Sequence, residues 1–561
     1  MAMTNTGESI IGASWEYPQI RSKERSIVEH MLALRDIQDA HSFFYGTNMP
    51  LGESPWLFSS MRRVVDRIKK AIDSRERIAI CGDYDIDGVT GSAILVRALL
   101  CLKAEVTYRI PDRERDGYGI NMRQIRELAD AGVTLMITVD NGITKVTEVG
   151  EAAKLHIDTI ITDHHGFGAT LPAAYAILHP LLPEESYPQK HLSGSGVALK
   201  LALALAEEFG LFQSHPHEIQ LWTVLGGTGL IGDMVPIIGE NRDIVREALK
   251  LLKEHDLPGF SDMILAAGID KGSIDSRTIG FQIGPRINAA GRLERAETAL
   301  ELFLSKAPKR TELAYKLNEI NKERQTVSKE WTERTIEKLK SVRDRFLTFG
   351  TADIPQGIVG LISGKVTERF GKPSLIYREK AGMLHGSLRS PKGLHITELL
   401  ARHSELIVGF GGHAQAAGLT MSKQHLPELT RRIEEELSSR PERVPQVLQI
   451  ESTLSQGEIN IKTAHMIRLF EPYGMSNPEP IFSLENIQAY DIQLVGNEQQ
   501  HLRMTVPTSA YPVAFIGFGM GEHAARIKKS GSISLAFQIG TQFWNGKERL
   551  NLKLCDIMIH H

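Results

Sequence analysis

RIAICGDYDIDG, residues 77–88, sets an apolar run of strand length directly before aspartates at positions 83, 85 and 87. A run of successive apolar residues suits a strand covered on both faces, the condition of a parallel sheet clothed in helices. The segments that follow agree. VTYRI (106–110), TLMITV (134–139) and DTIIT (158–162) are further apolar runs, and they alternate with helical patterns over Thr90–Leu102, Asn121–Ala131 and Glu148–Leu155. This βαβ rhythm predicts a doubly wound parallel sheet of the α/β class from Arg77 to about Leu178. Ligands of such sheets bind at the carboxyl ends of the strands, so the residues after each run carry the chemistry.

In an extended backbone the side chains at i, i+2 and i+4 share a face, which would let Asp83, Asp85 and Asp87 converge. Three carboxylates so placed repel one another unless cations lie between them or protons neutralise them. Alone, the motif would also read as a polar Asp/Gly turn. It is not alone: the next strand but one ends in VDNG, with Asp140, and the following strand in TDHHG, with Asp163, His164 and His165. Oxygen and imidazole donors at three points of one crevice indicate a metal site. Asp233, in GLIGDMVP after an apolar helix, adds a carboxylate that would be unremarkable by itself. The donor mixture suits two divalent metal ions, Mn2+ in preference to Mg2+ because of the histidines. The chemistry expected is displacement at phosphorus.

At 561 residues the chain exceeds a single core and implies three or four domains. No run of eighteen apolar residues is present, and the first twenty residues lack the basic start and apolar stretch of a secretory signal, so a cytoplasmic protein without membrane contact is expected. Cys81, Cys101 and Cys555 lie far apart and show no CxxC spacing, so neither a disulfide framework nor a structural zinc site is suggested. A net charge of −3 means that any nucleic acid must be held by a local basic track.

The pattern divides into an N-terminal extension (1–49), a first domain (50–305), a long connecting helix (306–345), a second, smaller α/β domain (346–440) and a β-rich tail (447–561). The first domain continues as a helical stretch from Val197 to Leu252. The connecting helix has no glycine and carries twelve Lys/Arg against seven Asp/Glu, which reads equally as a basic track or a solvated spacer. The second domain includes GLISGK (360–365), LHGSLRS (384–390) and GFGGHAQAAG (409–418). Ser387 and Arg389, two residues apart, can present a hydroxyl and a guanidinium from one side of a strand to phosphate oxygens. His413, among four glycines, is a further candidate phosphate contact. The tail offers IQAYDIQLV, HLRMTV, PVAFIGF, ISLAFQI and RLNLKLCDIMI, with WNGK (544–547) as an Asn-Gly hairpin turn. Five or six strands in this length predict a small OB-like β-barrel, and Phe515, Phe518, Phe537, Phe543 and Trp544 are candidates for stacking on bases, though most read as core.

DYDIDG, VDNG, TDHHG and GLIGD, in that order, resemble the four motifs of the DHH phosphoesterase family. The resemblance implies that Asp83, Asp85 and Asp87 include metal ligands, that Asp140 bridges two ions and that His164 and Asp233 complete the second ion's shell. It implies further that His165 faces the scissile phosphate and that Asp163 orients its neighbours. Cys81 stands where several members carry a histidine, which leaves the first ion's ligand set open. IPDRERDGYGI (110–120) and IGPRINAAGRLERAETAL (283–300) are similar to stretches of the family's single-strand-specific exonuclease branch, and residues 346–440 resemble its DHH-associated domain. FEPYGMSNPEPIF (470–482) resembles the linker before that branch's OB domain, with Met475 and Ser476 where a glycine-containing pair is usual.

That branch implies a 5′ to 3′ exonuclease on single-stranded DNA, releasing mononucleotides in DNA repair and recombination. Arg286, Ser387 and Arg389 would then form a pocket for the 5′ phosphate and Arg113 would contact the strand, with a single-strand-binding protein and a helicase as expected partners. Two alternatives stay open: a phosphodiesterase for short oligoribonucleotides or cyclic dinucleotides, and a non-catalytic scaffold that binds single strands.

Overall fold

The computed structural model describes residues 7–22, 24–46, 51–113, 115–440, 446–507 and 511–560, the side chain of Trp544 excepted. The expected boundary at 49–50 and the stacking expected of Trp544 lie outside the described residues. The chain forms two compact units: residues 49–444 with 474–476, and residues 1–48, 445–473 and 477–561.

The first unit opens on a five-stranded sheet of β1 (Arg77–Gly82), β2 (Glu105–Arg109), β3 (Val133–Val139), β4 (Asp158–Thr162) and β5 (Ala176–Leu178). Its order is β2-β1-β3-β4-β5, with every pair parallel. Ile78 and Ile80 enter one apolar cluster while Ala79 and Cys81 enter another, so both faces of β1 are covered, as the unbroken apolar run requires. The chain leaves β1 for β2 on one side and returns to β3 on the other. The crevice therefore opens between the carboxyl ends of β1 and β3, which Asp83 and Asp140 directly follow.

The helix after β1 starts earlier than its apolar pattern suggests. α1 runs Ile86–Cys101, and Asp85 is its N-cap, accepting from the backbone N–H groups of Asp87 (3.0 Å) and Gly88 (3.2 Å). DYDIDG is thus a strand-to-helix turn and not an extended strand, and its three aspartates do not share a face by alternation. The Val197–Leu252 stretch resolves into helices that include α2 (Gly194–Glu208) and α3 (Pro216–Gly232).

α4 (Gly284–Leu293) packs on α5 (Lys309–Leu339), the long helix. Ala314, Leu317 and Ile320 of α5 are buried in the first domain's core, while Val327, Trp331 and Ile336 pack against the core of the second α/β layer. The helix is therefore a structural wall of both. The second layer has β6 (Leu347–Thr351), β7 (Ser374–Lys380), β8 (Met383–Arg389), β9 (Gly409–His413) and β10 (Ala416–Ser422), in the order β9-β10-β8-β7-β6, with α6 (Val359–Phe370) packed on β7 and β8.

The second unit holds β11 (Phe482–Ile487), β12 (Tyr490–Val495), β13 (His501–Val506), β14 (Val513–Gly517), β15 (Ser532–Trp544) and β16 (Lys547–His560), with the expected hairpin at Asn545–Gly546. Strand Ser452–Thr453 pairs with β11, and the path runs from it through β11-β15-β16-β14-β13-β12. Among the described residues no pairing joins β12 back to the other end, so the sheet is open where a closed barrel was expected. The far edge of β16 is divided: β14 takes Leu552 and Lys553, and the N-terminal strand Glu8–Ser9 takes Met558 and Ile559. The N-terminal segment is therefore built into this sheet. Trp15 Nε1 donates to the buried Asp556 (2.8 Å), Ser9 Oγ donates to the same carboxylate (2.6 Å), and Arg35 forks onto Glu451 (2.6 Å to each oxygen). Phe515 and Phe537 are core, packed edge to face, while Phe518 and Phe543 are exposed. No helix among the described residues is long and apolar enough to cross a membrane.

Candidate metal centre

Asp83 and Asp85 leave the end of β1, and Asp140 leaves the end of β3 with a left-handed backbone, φ 61°. Gly194, at the start of α2, lies against Asp140 so closely that an added Cβ would stand 2.4 Å from the aspartate's own Cβ. The same helix start fixes Asp87: Gly194 and Ser195 donate their backbone N–H groups to its two oxygens at 2.6 and 3.0 Å. Asp233 caps the carboxyl end of α3. His164 Nε2 then lies 3.1 Å from Asp140 Oδ1, 3.5 Å from Asp233 Oδ2 and 3.8 Å from Asp87 Oδ2.

Three donor sets overlap here, each with its ligand atoms within 4.8 Å of one another: Asp83, Asp85 and Asp140; Asp87, His164 and Asp233; Asp140, His164 and His165. Asp140 and His164 each belong to two sets. Asp83 Oδ1 is buried with no hydrogen-bond partner. Burial, then the neighbouring carboxylates, pushes the pKa of Asp83 and Asp140 well above the usual range and raises that of Asp85 and Asp233. Burial also lowers the pKa of His164, leaving its imidazole neutral and able to ligate. An orphaned carboxylate oxygen, mutually repelling acids and a neutral imidazole fit divalent cations. Cys81 does not join them: its side chain packs with Ile125, Leu128 and Met136, and burial pushes its thiol up to about 12.

His165 behaves differently from His164. Burial works to lower its pKa, but the hydrogen bond from Nδ1 to Asp163 Oδ1 (2.9 Å) and that carboxylate's charge outweigh it and hold the imidazole at about 9. Burial works to raise Asp163, yet His165 and the backbone N–H of Ile143 bring it down to about 2. Tyr118 Oη donates to the Asp140 carbonyl (2.8 Å) and lies 3.1 Å from His165 Nδ1, bracing both residues. Neither Tyr118 nor Asn288, whose Oδ1 accepts the Ile86 backbone N–H at 2.8 Å, was singled out from sequence. Asn288 ties the 283–300 stretch to the start of α1.

The substrate candidates fall into the same unit. Arg389 Nη1 donates to Ser387 Oγ at 2.7 Å. Gly360, in the first turn of α6, leaves room for both: a Cβ there would lie 3.0 Å from Arg389 Nη2 and 3.2 Å from Ser387 Oγ. The positive end of α6 thus faces the pair. Arg286 Nε donates to Asn318 Oδ1 of α5 (3.0 Å), and Arg113 lies over the Tyr84 ring at 4.9 Å.

Arg292 and Arg324, neither of them singled out from sequence, complete the group. Burial and then the charges of Arg113 and Arg324 bring Arg292 down to about 10. Burial lowers Arg324, with Arg286 adding, and lowers Arg389, with Arg113 adding. None of the five guanidiniums has a carboxylate within ion-pair distance among the described residues, and Arg324 Nε is buried without a partner. Cations gathered in this way invite an anion with several oxygens. His413, at the end of β9, is exposed; partial desolvation and then the His165 charge lower its pKa.

Comparisons with known proteins agree with this geometry. Family models match residues 77–225 (DHH family, N-terminal domain), 344–439 (DHHA1 domain) and 450–556 (RecJ OB domain). The chain is 33% identical over 543 residues to the single-stranded-DNA-specific exonuclease RecJ of Bacillus subtilis, covering 95% of this chain and 68% of that one. To the RecJ of Dickeya dadantii it is 31% identical over 522 residues, covering 88% and 90%. The crystal structure of Thermus thermophilus RecJ in complex with Mn2+ superposes with a TM-score of 0.82 at 26% identity, covering 98% of this chain and 80% of that one.

Proposed function

The chain belongs to the RecJ family of DHH phosphoesterases, and from that membership we infer that it is a single-strand-specific DNA exonuclease that consumes its substrate from the 5′ end. One observation carries the reading: overlapping carboxylate and imidazole donor sets share a unit with five guanidiniums that lack carboxylate partners.

Asp83, Asp85, Asp87, Asp140, His164 and Asp233 would hold two divalent cations, manganese by preference over magnesium. Such a pair, when bound, lowers the pKa of water and neutralises charge developing at phosphorus. Arg286, Arg292, Arg324, Ser387 and Arg389 receive the 5′-terminal phosphate, and Arg113 and His413 hold the strand beyond it. Water adds to the phosphorus of the second nucleotide as its bond to the O3′ of the first breaks. The departing O3′ takes the proton that Asp163 keeps on His165, and the proton lost by the water passes to solvent. Each cut leaves a strand that again begins with a phosphate, so the pocket is presented with the same end at every cycle. The single strands it degrades arise in DNA repair and recombination, where a helicase and a single-strand-binding protein deliver them.

The test is digestion of 5′-phosphorylated, internally labelled single strands with Mn2+. Mononucleotides released in order from the 5′ end are expected. Digestion beginning at the 3′ end, or of duplex alone, would overturn the reading.

A further inference from the structure

No Phe, Tyr or Trp among the described residues is more exposed than Phe281, at 77%. It sits in a π-helical turn, Ile279–Ile283, whose two end residues are fully buried. Turns of this kind are rare interruptions of an α-helix and are frequent at functional sites. The turn is anchored beside the metal centre at two points. Gly280 faces Ile231, two residues before Asp233, and Gly284 faces Ile86, between Asp85 and Asp87. The carbonyl of Gln282, next to Phe281, accepts from Arg286 Nη1 at 2.6 Å, so the guanidinium folds back along the exposed edge of the turn.

We propose that Phe281 is the stacking platform for a nucleobase of the substrate strand, a specificity-determining contact paired with the phosphate held by Arg286. The proposal rests on the nuclease reading above and adds to it the means of discrimination. Phosphate and base alternate along a strand, and the turn carries an exposed ring one residue before the carbonyl that holds the guanidinium. A ring face accepts any base, so the contact is indifferent to sequence. Inside a duplex both faces of every base are covered by stacking, so beyond the terminal pair only an unpaired strand can bring a base onto the ring, which favours single strands. Leu265, also exposed at 69%, lies on a helix packed against the same turn and makes a protein partner the competing occupant.

The experiment compares wild type with Phe281→Ala and Phe281→Trp on a 5′-phosphorylated single strand, intact or with one abasic nucleotide placed in turn at each of the first few positions. Digestion in Mn2+ gives KM and kcat; binding in EDTA to strands carrying 2-aminopurine at the same positions reports stacking. Phe281→Ala is expected to raise KM about tenfold with kcat unchanged and to abolish 2-aminopurine quenching at one position, with Phe281→Trp restoring both. An abasic nucleotide at that position should weaken wild type about tenfold and Phe281→Ala no further. If Phe281→Ala leaves KM, quenching and the intact-to-abasic ratio as in wild type, the ring meets no base and the proposal is wrong. Should wild type itself fail to digest the intact strand, the nuclease reading falls instead, a result the variants do not mimic.

Discussion

Two adjacent histidines, His164 and His165, are driven in opposite directions by their surroundings. At His164 burial outweighs the neighbouring carboxylates and the imidazole loses its proton, whereas His165 is held protonated by Asp163. The second effect is testable. Asp163→Asn removes the charge that raises His165, so the imidazolium is lost at a lower pH, and the alkaline limb of kcat against pH should move to lower pH with cation concentration held fixed. An unmoved limb would show that His165 does not supply the proton. The residues of this centre were legible because a doubly wound sheet presents whatever follows each strand at one crevice, and Asp83, Asp140, His164 and His165 all follow strands. Asp87 was found for an incomplete reason. It joins His164 and Asp233 through the helix that begins at Ile86, and an extended-strand reading of DYDIDG does not contain that turn.

At the level of elements, the long helix was visible as a helix, and its charge was not decodable. Periodicity shows which positions are polar but not which polar face a second layer will cover. Asn318 and Arg324 of α5 turn toward the arginine group, while Lys322, Lys329 and Lys340 pair with glutamates three or four residues away on the exposed side. Arg324→Ala should therefore raise KM about tenfold for strands with a 5′ phosphate and leave KM for 5′-hydroxyl strands nearly unchanged, measured side by side in steady-state digestion. An equal effect on both substrates would return the residue to a structural role. The open sheet of the second unit was likewise half legible: its strands and hairpin announce themselves locally, but whether a sheet closes depends on pairings between distant edges.

On the scale of the whole molecule, cation binding and folding are coupled. Without cations the folded chain keeps protons on acids that the unfolded chain has released from about pH 4 upward. This contribution to stability is fully present below that pH and is lost as pH rises through the folded values, about 9 for Asp233. A divalent cation held here would replace the protons as the neutralising charge. The rise in Tm on adding Mn2+ to chelated protein should accordingly be larger at pH 8 than at pH 6, read by thermal unfolding; a shift independent of pH would mean that the acids are not the binding groups. The placement of the N-terminal segment was the part least visible in the sequence, because its partners are remote: Trp15 and Asp556 are 541 positions apart. That separation governs the protein's birth. Residues 7–46 emerge from the ribosome long before the sheet that receives them, and until residues 482–560 have been made Ile10, Trp15 and Met31 lack their cover. Apolar side chains left waiting in this way favour misassembly, and losing residues 532–560 would leave the N-terminal segment without its place in the sheet.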